Sequence, residues 1–321
     1  MPGTVTISPG YLKNIKSYSG RKKISSQMLT QKQKIKYFFD SILGSAQKYK
    51  CTYCKSEDCK EIDSKYIVTK LIECQNCHLY FRFPIDKKEE NANFYQTEYQ
   101  ESDELTTHLP DTSLLEKIKV DRFTYGNKNA DRFLNLFTRL FPDEKSLRII
   151  DYGSSWGYTS YQFKEAGHQV QGFEISKPRA AYGIKNLDVD ICMDESMLKG
   201  GNHIFFSYHV IEHHPDIASM IRLAESLLKD GGYFVAYCPN GSLPFRQKNR
   251  EIFHRFWGKV HPNFINADFY EHIFKERPYC IASTPIIYEN IHPLEMQQLT
   301  IDNLSGEELL IVAKFSKPAS N

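Results

Sequence analysis

The second half of the chain alternates short apolar runs with stretches of helical spacing. Leu147, Ile149 and Ile150 form a run long enough for a buried strand of a parallel sheet. Similar runs predict strands at 147–151, 169–174, 188–192, 203–207, 232–238, 283–288 and 308–315. Strands alternating with helices imply an α/β fold on a parallel sheet. Upstream, Leu114 to Phe123 and Ala130 to Phe141 have helical apolar spacing, and the second would pack Phe133, Leu134, Phe137, Leu140 and Phe141 on that sheet. A further helix is expected from Ser25 to Leu43, with Lys32, Lys34 and Lys36 mostly on its polar side and Gly44 closing it. Residues 1–24 carry few apolar side chains and predict a loosely attached arm.

One junction stands out. The first predicted strand runs into Asp151-Tyr152-Gly153-Ser154-Ser155-Trp156-Gly157, and Tyr158 to Ala166 then reads as a helix stopped by Gly167. A strand feeding a helix through a glycine turn is a cradle for a nucleotide-like cofactor, with backbone N–H groups and the positive helix end expected to face the ligand. The next strand ends in Glu174, about 20 residues past the turn, where an acid suits the two hydroxyls of a ribose. The cofactor therefore has an adenosine-like half, and the spacing leaves NAD and S-adenosylmethionine (SAM) both open.

Composition adds bounds. The 321 residues carry a net charge of +2, but ten of the 41 Lys and Arg and one of the 39 Asp and Glu lie in residues 1–50. That basic arm suits nucleic acid or another anionic partner, or a solvated tail. No apolar run reaches the roughly 18 residues of a membrane span, and the first residues lack the apolar core of a signal peptide, so a cytoplasmic protein is expected. Five of the eight cysteines fall between Cys51 and Cys77. Cys51-x-x-Cys54 and Cys74-x-x-Cys77, nineteen residues apart, match the spacing of a zinc ribbon. Four thiolates would complete a tetrahedron with no open position, so the zinc is expected to be structural. Lys65 to Ile72 reads as a strand returning the second pair to the first, and Cys59 and His78 are spare candidates.

Four segments taken together resemble a known family. DYGSSWG at 151–157, GFEIS at 172–176, FFSYHVIEHHPD at 205–216 and LLKDGGYFVAYCPN at 227–240 look like the class I SAM-dependent methyltransferases, in the family's order. The resemblance covers Ser146 to about Asn240, with His203 standing where the family often has Asp. It implies a seven-stranded Rossmann-like sheet with helices on both faces and the last strand antiparallel, and it favours SAM over NAD. The two Cys pairs, Phe81-Arg82-Phe83-Pro84 and Asn93 to Tyr99 also resemble a subset of these enzymes linked with small-molecule, nucleotide-sugar and glycan methylation. Relatives that methylate a sugar carbon carry a further C-terminal domain that this length does not accommodate. On this reading residues 1–48 are a basic arm and helix, 49–85 a zinc ribbon, 86–145 a helical linker or lid, and 146–321 the methyltransferase domain.

Ligands of open α/β sheets bind at the carboxyl ends of the strands. The candidate cofactor residues are thus Asp151, Gly153, Ser154, Ser155, Trp156 and Gly157 for the methionine part and backbone, Glu174 and Ile175 for the ribose and adenine edge, and Met193 and Asp194 flanking adenine. Ser207 and Tyr208 end the fourth strand, facing the transferred methyl group. An oxygen acceptor must lose a proton, so His209 is the first candidate base and His213 the second. The long segment 241–278 mixes aromatic and basic residues, and Trp257 and His261 there, with Tyr95 and Tyr99 in a lid, are the candidate substrate residues. The expected function is methyl transfer from SAM to a small polar acceptor, a hydroxyl of a sugar, glycan precursor or secondary metabolite. The alternative is an RNA base methyltransferase whose ribbon and arm grip phosphates. A non-catalytic binding module would not need the intact DYGSSWG turn and Glu174.

Overall fold

The computed structural model describes residues 48–65, 69–85, 109–124, 128–258, 261–293, 298–300 and 303–316. The basic arm, the helix expected at Ser25 to Leu43, and Tyr95 and Tyr99 lie outside the described residues.

The chain first builds a small antiparallel sheet around the cysteine pairs. The strand expected at Lys65 to Ile72 is two strands, β1 (Cys59–Lys65) and β2 (Thr69–Cys74), joined as a hairpin and followed by β3 (Tyr80–Phe83). The fourth strand of this sheet, β9 (Asn263–Phe264), comes from the far side of the sequence. Arg82 N–H donates to the Pro262 carbonyl at 2.7 Å, Thr52 Oγ1 to Asn263 Oδ1 at 3.2 Å, and Asn266 Nδ2 to the His78 carbonyl at 2.7 Å. The cysteine ribbon is thus stitched to the 241–278 segment by backbone and side chain alike.

Two helices lead to the large sheet. In α1 (Thr112–Val120) the first turn is capped by Asp111, whose carboxylate accepts from Leu114 N–H at 2.8 Å. In α2 (Asp131–Leu140) Phe133, Leu136, Phe137 and Leu140 are buried, as their i, i+3, i+4 and i+7 spacing demands.

The large sheet has eight strands in the order β11-β10-β12-β8-β7-β4-β5-β6. At its centre β4 (Arg148–Tyr152) runs parallel to β5 (Gln169–Phe173) and β7 (Asn202–Tyr208). Outside them β6 (Ile191–Cys192) and β8 (Leu228–Pro239) are also parallel. Then β12 (Glu308–Phe315) runs antiparallel between β8 and β10 (Tyr279–Ser283). The seven strands implied by the resemblance are present, and β11 (Gln298–Thr300) adds a short edge. The strand expected at 283–288 lies four residues earlier, because Pro285 has no N–H for a ladder.

Adjacent residues of the strands face opposite ways, so each strand feeds two cores. Ile149, Phe206, Val235 and Val312 pack with α2 on one face. Ile150, Phe205, Phe234 and Ile311 pack on the other with α5 (Ile217–Leu227), with α8 (Ala267–Phe274), and with Cys51, Ile72, Cys74, Cys77 and Phe81 of the ribbon. Ribbon and sheet therefore share one hydrophobic core. The remaining helices, α3 (Tyr158–Glu165), α4 (Lys177–Leu187), α6 (Leu243–Lys248) and α7 (Arg250–Phe256), complete the layers. No described helix is long and apolar enough to cross a membrane.

Candidate active site

The turn after β4 is built as the sequence implies, with Gly153 and Gly157 at φ of 83° and 80°. The space a side chain would fill at Gly153 is taken by Val210, 2.3 Å from an added Cβ, so the turn can close only with glycine there. One expectation is corrected. The N–H groups of Gly153 and Ser154 both donate to the Phe173 carbonyl, at 2.8 and 2.9 Å, and that of Gly157 to the Ser154 carbonyl at 2.9 Å. They tie the turn to itself and to β5 and do not face a ligand. Trp156 is likewise corrected from the cofactor set. It is fully buried against Phe123, Tyr158 and Tyr182, where it supports the turn from within.

Glu174 does converge on the turn. Its Oε2 accepts from Ser155 N–H at 2.9 Å and its Oε1 from Ser176 N–H at 2.7 Å. Burial raises its carboxyl, while those N–H bonds and Arg179 pull it down. Two oxygens offer about four acceptor positions, so capacity for two ribose hydroxyls remains. Beside it Ile175 and Met193, just past the ends of β5 and β6, have 40% and 47% of their surface exposed, a pair of apolar edges suited to an adenine plane. Asp194 is exposed and caps the turn that follows, accepting from Ser196 N–H at 2.9 Å. Asp151 is buried and accepts from Ser160 Oγ at 2.6 Å, and burial pushes its carboxyl up to about 7. The Oγ atoms of Ser207, at the end of β7, and of Ser176 are buried and make no hydrogen bond among the described residues. Orphaned hydroxyls, an acid with spare lone pairs and an open apolar pair fit an adenosine cofactor at this end of the sheet.

Beyond Ser207 lies a charged chain that the motifs alone did not reveal. Arg132 of α2 makes a fork to Glu308, at 2.6 and 3.1 Å, with its guanidinium over the rings of Phe133, Tyr208 and Tyr237. Glu308 Oε1 lies 3.0 Å from His209 Nε2, and Glu212 Oε1 lies 3.3 Å from His209 Nδ1. A carboxylate facing each ring nitrogen favours the doubly protonated ring, an imidazolium, at His209. Burial opposes that charge, but the bonds to Glu212 and Glu308 outweigh it and raise His209 to about 9. His209 as the proton-accepting base is therefore corrected: a carboxylate faces each ring nitrogen, and the ring, with 37% of its side-chain surface exposed, presents positive charge and no free lone pair. Tyr208 packs edge-on against it at 4.5 Å between ring centres.

His213 lies near Glu212, with Nε2 3.8 Å from Oε1. His261 from the 241–278 segment approaches His213 to 4.8 Å between ring centres. His214 is used structurally: its Nδ1 accepts from Asp216 N–H at 3.1 Å, and its Nε2 meets Tyr152 Oη at 3.2 Å. Trp257 is 1% exposed, and its indole N–H donates to Asp63 Oδ2 at 3.1 Å while the Lys65 ammonium sits 4.4 Å from its ring. It packs with Leu71, Tyr80, Phe253 and Phe264 against the ribbon strands, which corrects its expected role over the substrate. Arg132, Glu212 and Glu308 were missed because nothing local marks them: 176 residues separate Arg132 from Glu308.

The four ribbon cysteines converge, with Cys51 and Cys77 Sγ atoms 3.5 Å apart, Cys54 and Cys74 3.4 Å apart, and all four within 4.8 Å. Sulfurs around a tetrahedral zinc at about 2.3 Å stand roughly 3.8 Å apart, so the set fits that ion. Without a cation the crowding divides the thiols: the Cys77 hydrogen bond holds Cys51 down at about 5, and the same bond pushes Cys77 up.

Residues 125–281 match a family model described as a methyltransferase domain. No curated protein sequence matches the chain. Among solved structures it is similar to the plantazolicin methyltransferase BpumL in complex with S-adenosylhomocysteine (SAH), at 13% identity over 72% of this chain and 99% of that one, TM-score 0.45. Geranyl diphosphate C-methyltransferase from Streptomyces coelicolor A3(2) is 16% identical over 71% and 98%, TM-score 0.43. Phosphoethanolamine N-methyltransferase 2 of Haemonchus contortus, with SAM, is 16% identical over 74% and 62%, TM-score 0.45. These likenesses concern the fold and leave the acceptor open.

Proposed function

We propose that the chain is a class I SAM-dependent methyltransferase, a reading supported by the methyltransferase-domain match over residues 125–281, and that it methylates a hydroxyl of a small polar molecule, such as a sugar, a glycan precursor or a secondary metabolite. The observation that carries this reading is the exposed imidazolium of His209, held between Glu212 and Glu308 at the carboxyl end of β7. A fixed positive charge flanked by acids favours a small polar acceptor that can accept and donate hydrogen bonds. Glu174, Glu195, Glu212 and Glu308 make this end of the sheet acidic, which opposes the phosphates of an RNA.

When bound, SAM supplies a methyl group already activated on a sulfonium. Glu174 would take the ribose hydroxyls, with Ile175 and Met193 flanking the adenine. Asp151, Ser155 and Gly157 shape the turn around the rest, with Gly153 and Ser154 closing it on β5. The His209 imidazolium, fixed by Glu212 and Glu308, would set positive charge beside the acceptor oxygen and help align it for an in-line displacement, where alignment supplies much of the rate; the hydroxyl proton passes to solvent water as SAH leaves. The ribbon cysteines Cys51, Cys54, Cys74 and Cys77 would hold a structural zinc, stiffening the ribbon to which the 241–278 segment is pinned.

The test is transfer from methyl-labelled SAM to a panel of nucleotide sugars, free sugars and phenolic metabolites, with total RNA beside them. The expected result is label in an alkali-stable methyl ether of one small molecule, with one SAH formed per methyl. Label in RNA, or only on amine nitrogen, overturns the reading.

A further inference from the structure

Glu212, His213 and His261 come together although 48 residues separate the two histidines in sequence. One ligand atom from each lies within 4.8 Å of the others. Glu212 has no exposed surface; its Oε1 is ion-paired with His209 Nδ1 at 3.3 Å and lies 3.8 Å from His213 Nε2, while its Oε2 makes no hydrogen bond among the described residues. A buried carboxylate oxygen lacking a hydrogen bond is costly and rare even where the other oxygen is ion-paired. Two imidazoles beside it supply the soft half of a metal coordination set.

The supports around these side chains are built for the same purpose. His261 Nδ1 donates to the Phe256 carbonyl, so in the neutral ring the lone pair lies on Nε2. A backbone carbonyl on the far nitrogen is the usual partner of a metal-bound histidine. The segment carrying His261 is tied to the turn carrying Glu212 and His213: Asn263 Nδ2 donates to the His214 carbonyl at 2.8 Å and lies 3.4 Å from that of Glu212. Asn263 is also the first residue of β9, anchored on the ribbon.

We propose that Glu212, His213 and His261 bind one divalent first-row transition-metal ion, separately from the four cysteines, and leave a coordination position open to an exogenous oxygen. Two nitrogens and one carboxylate favour a zinc-like ion over magnesium or calcium, which prefer oxygen. Ligand atoms around a tetrahedral zinc stand roughly 3.4 Å apart, so small side-chain rotations close the present spacing. Three protein ligands with an open position are the pattern of a catalytic site, in contrast to the closed ribbon set. On the hydroxyl reading of the function, the open position suits the acceptor oxygen. The metal site itself does not depend on that reading.

The experiment counts zinc on the full-length protein. Calorimetric titration with zinc chloride, together with elemental analysis, is expected to give two zinc ions per chain at saturation. His261→Gln and Glu212→Gln should each lose one equivalent, with the cysteine-bound ion and SAM binding retained. A wild-type protein that saturates at one zinc, or folded variants that still hold two, overturns the proposal. Should both variants fail to fold, anomalous scattering at the zinc edge from soaked wild-type crystals decides it: a peak among the three side chains supports the site, and peaks only at the cysteines or elsewhere overturn it. Because the readout is metal content, a negative result is distinct from failure of methyl transfer.

Discussion

Asp151 is the residue whose charge the fold handles least comfortably. Burial raises its carboxyl from 3.8 to about 7, against the opposing bonds from Ser160. The unfolded chain releases this proton near 3.8, whereas the folded chain keeps it until about 7. Between those values the folded state binds more protons, so stability falls as pH rises through that window and is flat above it. Asp151→Asn removes the ionisation. Its melting temperature relative to wild type should climb between pH 3.8 and 7 and then level off. Each kcal/mol is about 2–4 °C for a domain of this size, so a rise of several degrees is expected. A difference independent of pH would show that Asp151 is not held this way. The sequence marked Asp151, Glu174 and the two glycines because their roles follow from local order along one strand and turn. It marked His209 as well, but not its state, because Glu308 reaches that ring across 99 residues of sequence.

At the scale of elements, the 241–278 segment is more a clasp than a cover. Trp257 fills a pocket lined by Leu71, Tyr80 and Phe264, and its N–H satisfies Asp63, which also faces His254 at 2.8 Å. Truncating a buried Trp costs about 3–5 kcal/mol, and here it also removes a donor from Asp63. Trp257→Ala should therefore lower unfolding free energy by that order in urea titrations, with SAM affinity unchanged. An unaltered stability with a raised KM for the acceptor would instead put Trp257 over the substrate. Most strands and helices were readable because each repeats an apolar period over several residues. β9 was not, since two residues carry no period, and it exists only because β3 offers an edge to pair with. Pro285 was readable as a limit on β10, yet the apolar run around Ile286 and Ile287 outweighed it in the pattern.

For the whole molecule, strand order decides where chemistry can occur. β5, β4 and β7 lie side by side and parallel, so Glu174, the glycine turn and His209 open at one end of the sheet. Alternation along each strand loads both faces, and one of those faces holds the cysteine ribbon in its core. The sheet was legible from periodicity and from the four motifs. The joining of ribbon, segment and sheet was not, because it depends on contacts such as Asn263 with Thr52 and His214 that no local pattern announces. The proposed function requires Glu174 and the glycine turn to hold SAM. Calorimetric titration of SAM into the wild-type protein and into Glu174→Ala tests it most directly. Hydrogen bonds to a charged group contribute about 1.5–3 kcal/mol each, and each 1.4 kcal/mol is tenfold in affinity. One SAM per chain and a loss of roughly tenfold or more in the variant are expected. No binding to wild type, or equal affinity in the two proteins, would contradict the proposed function.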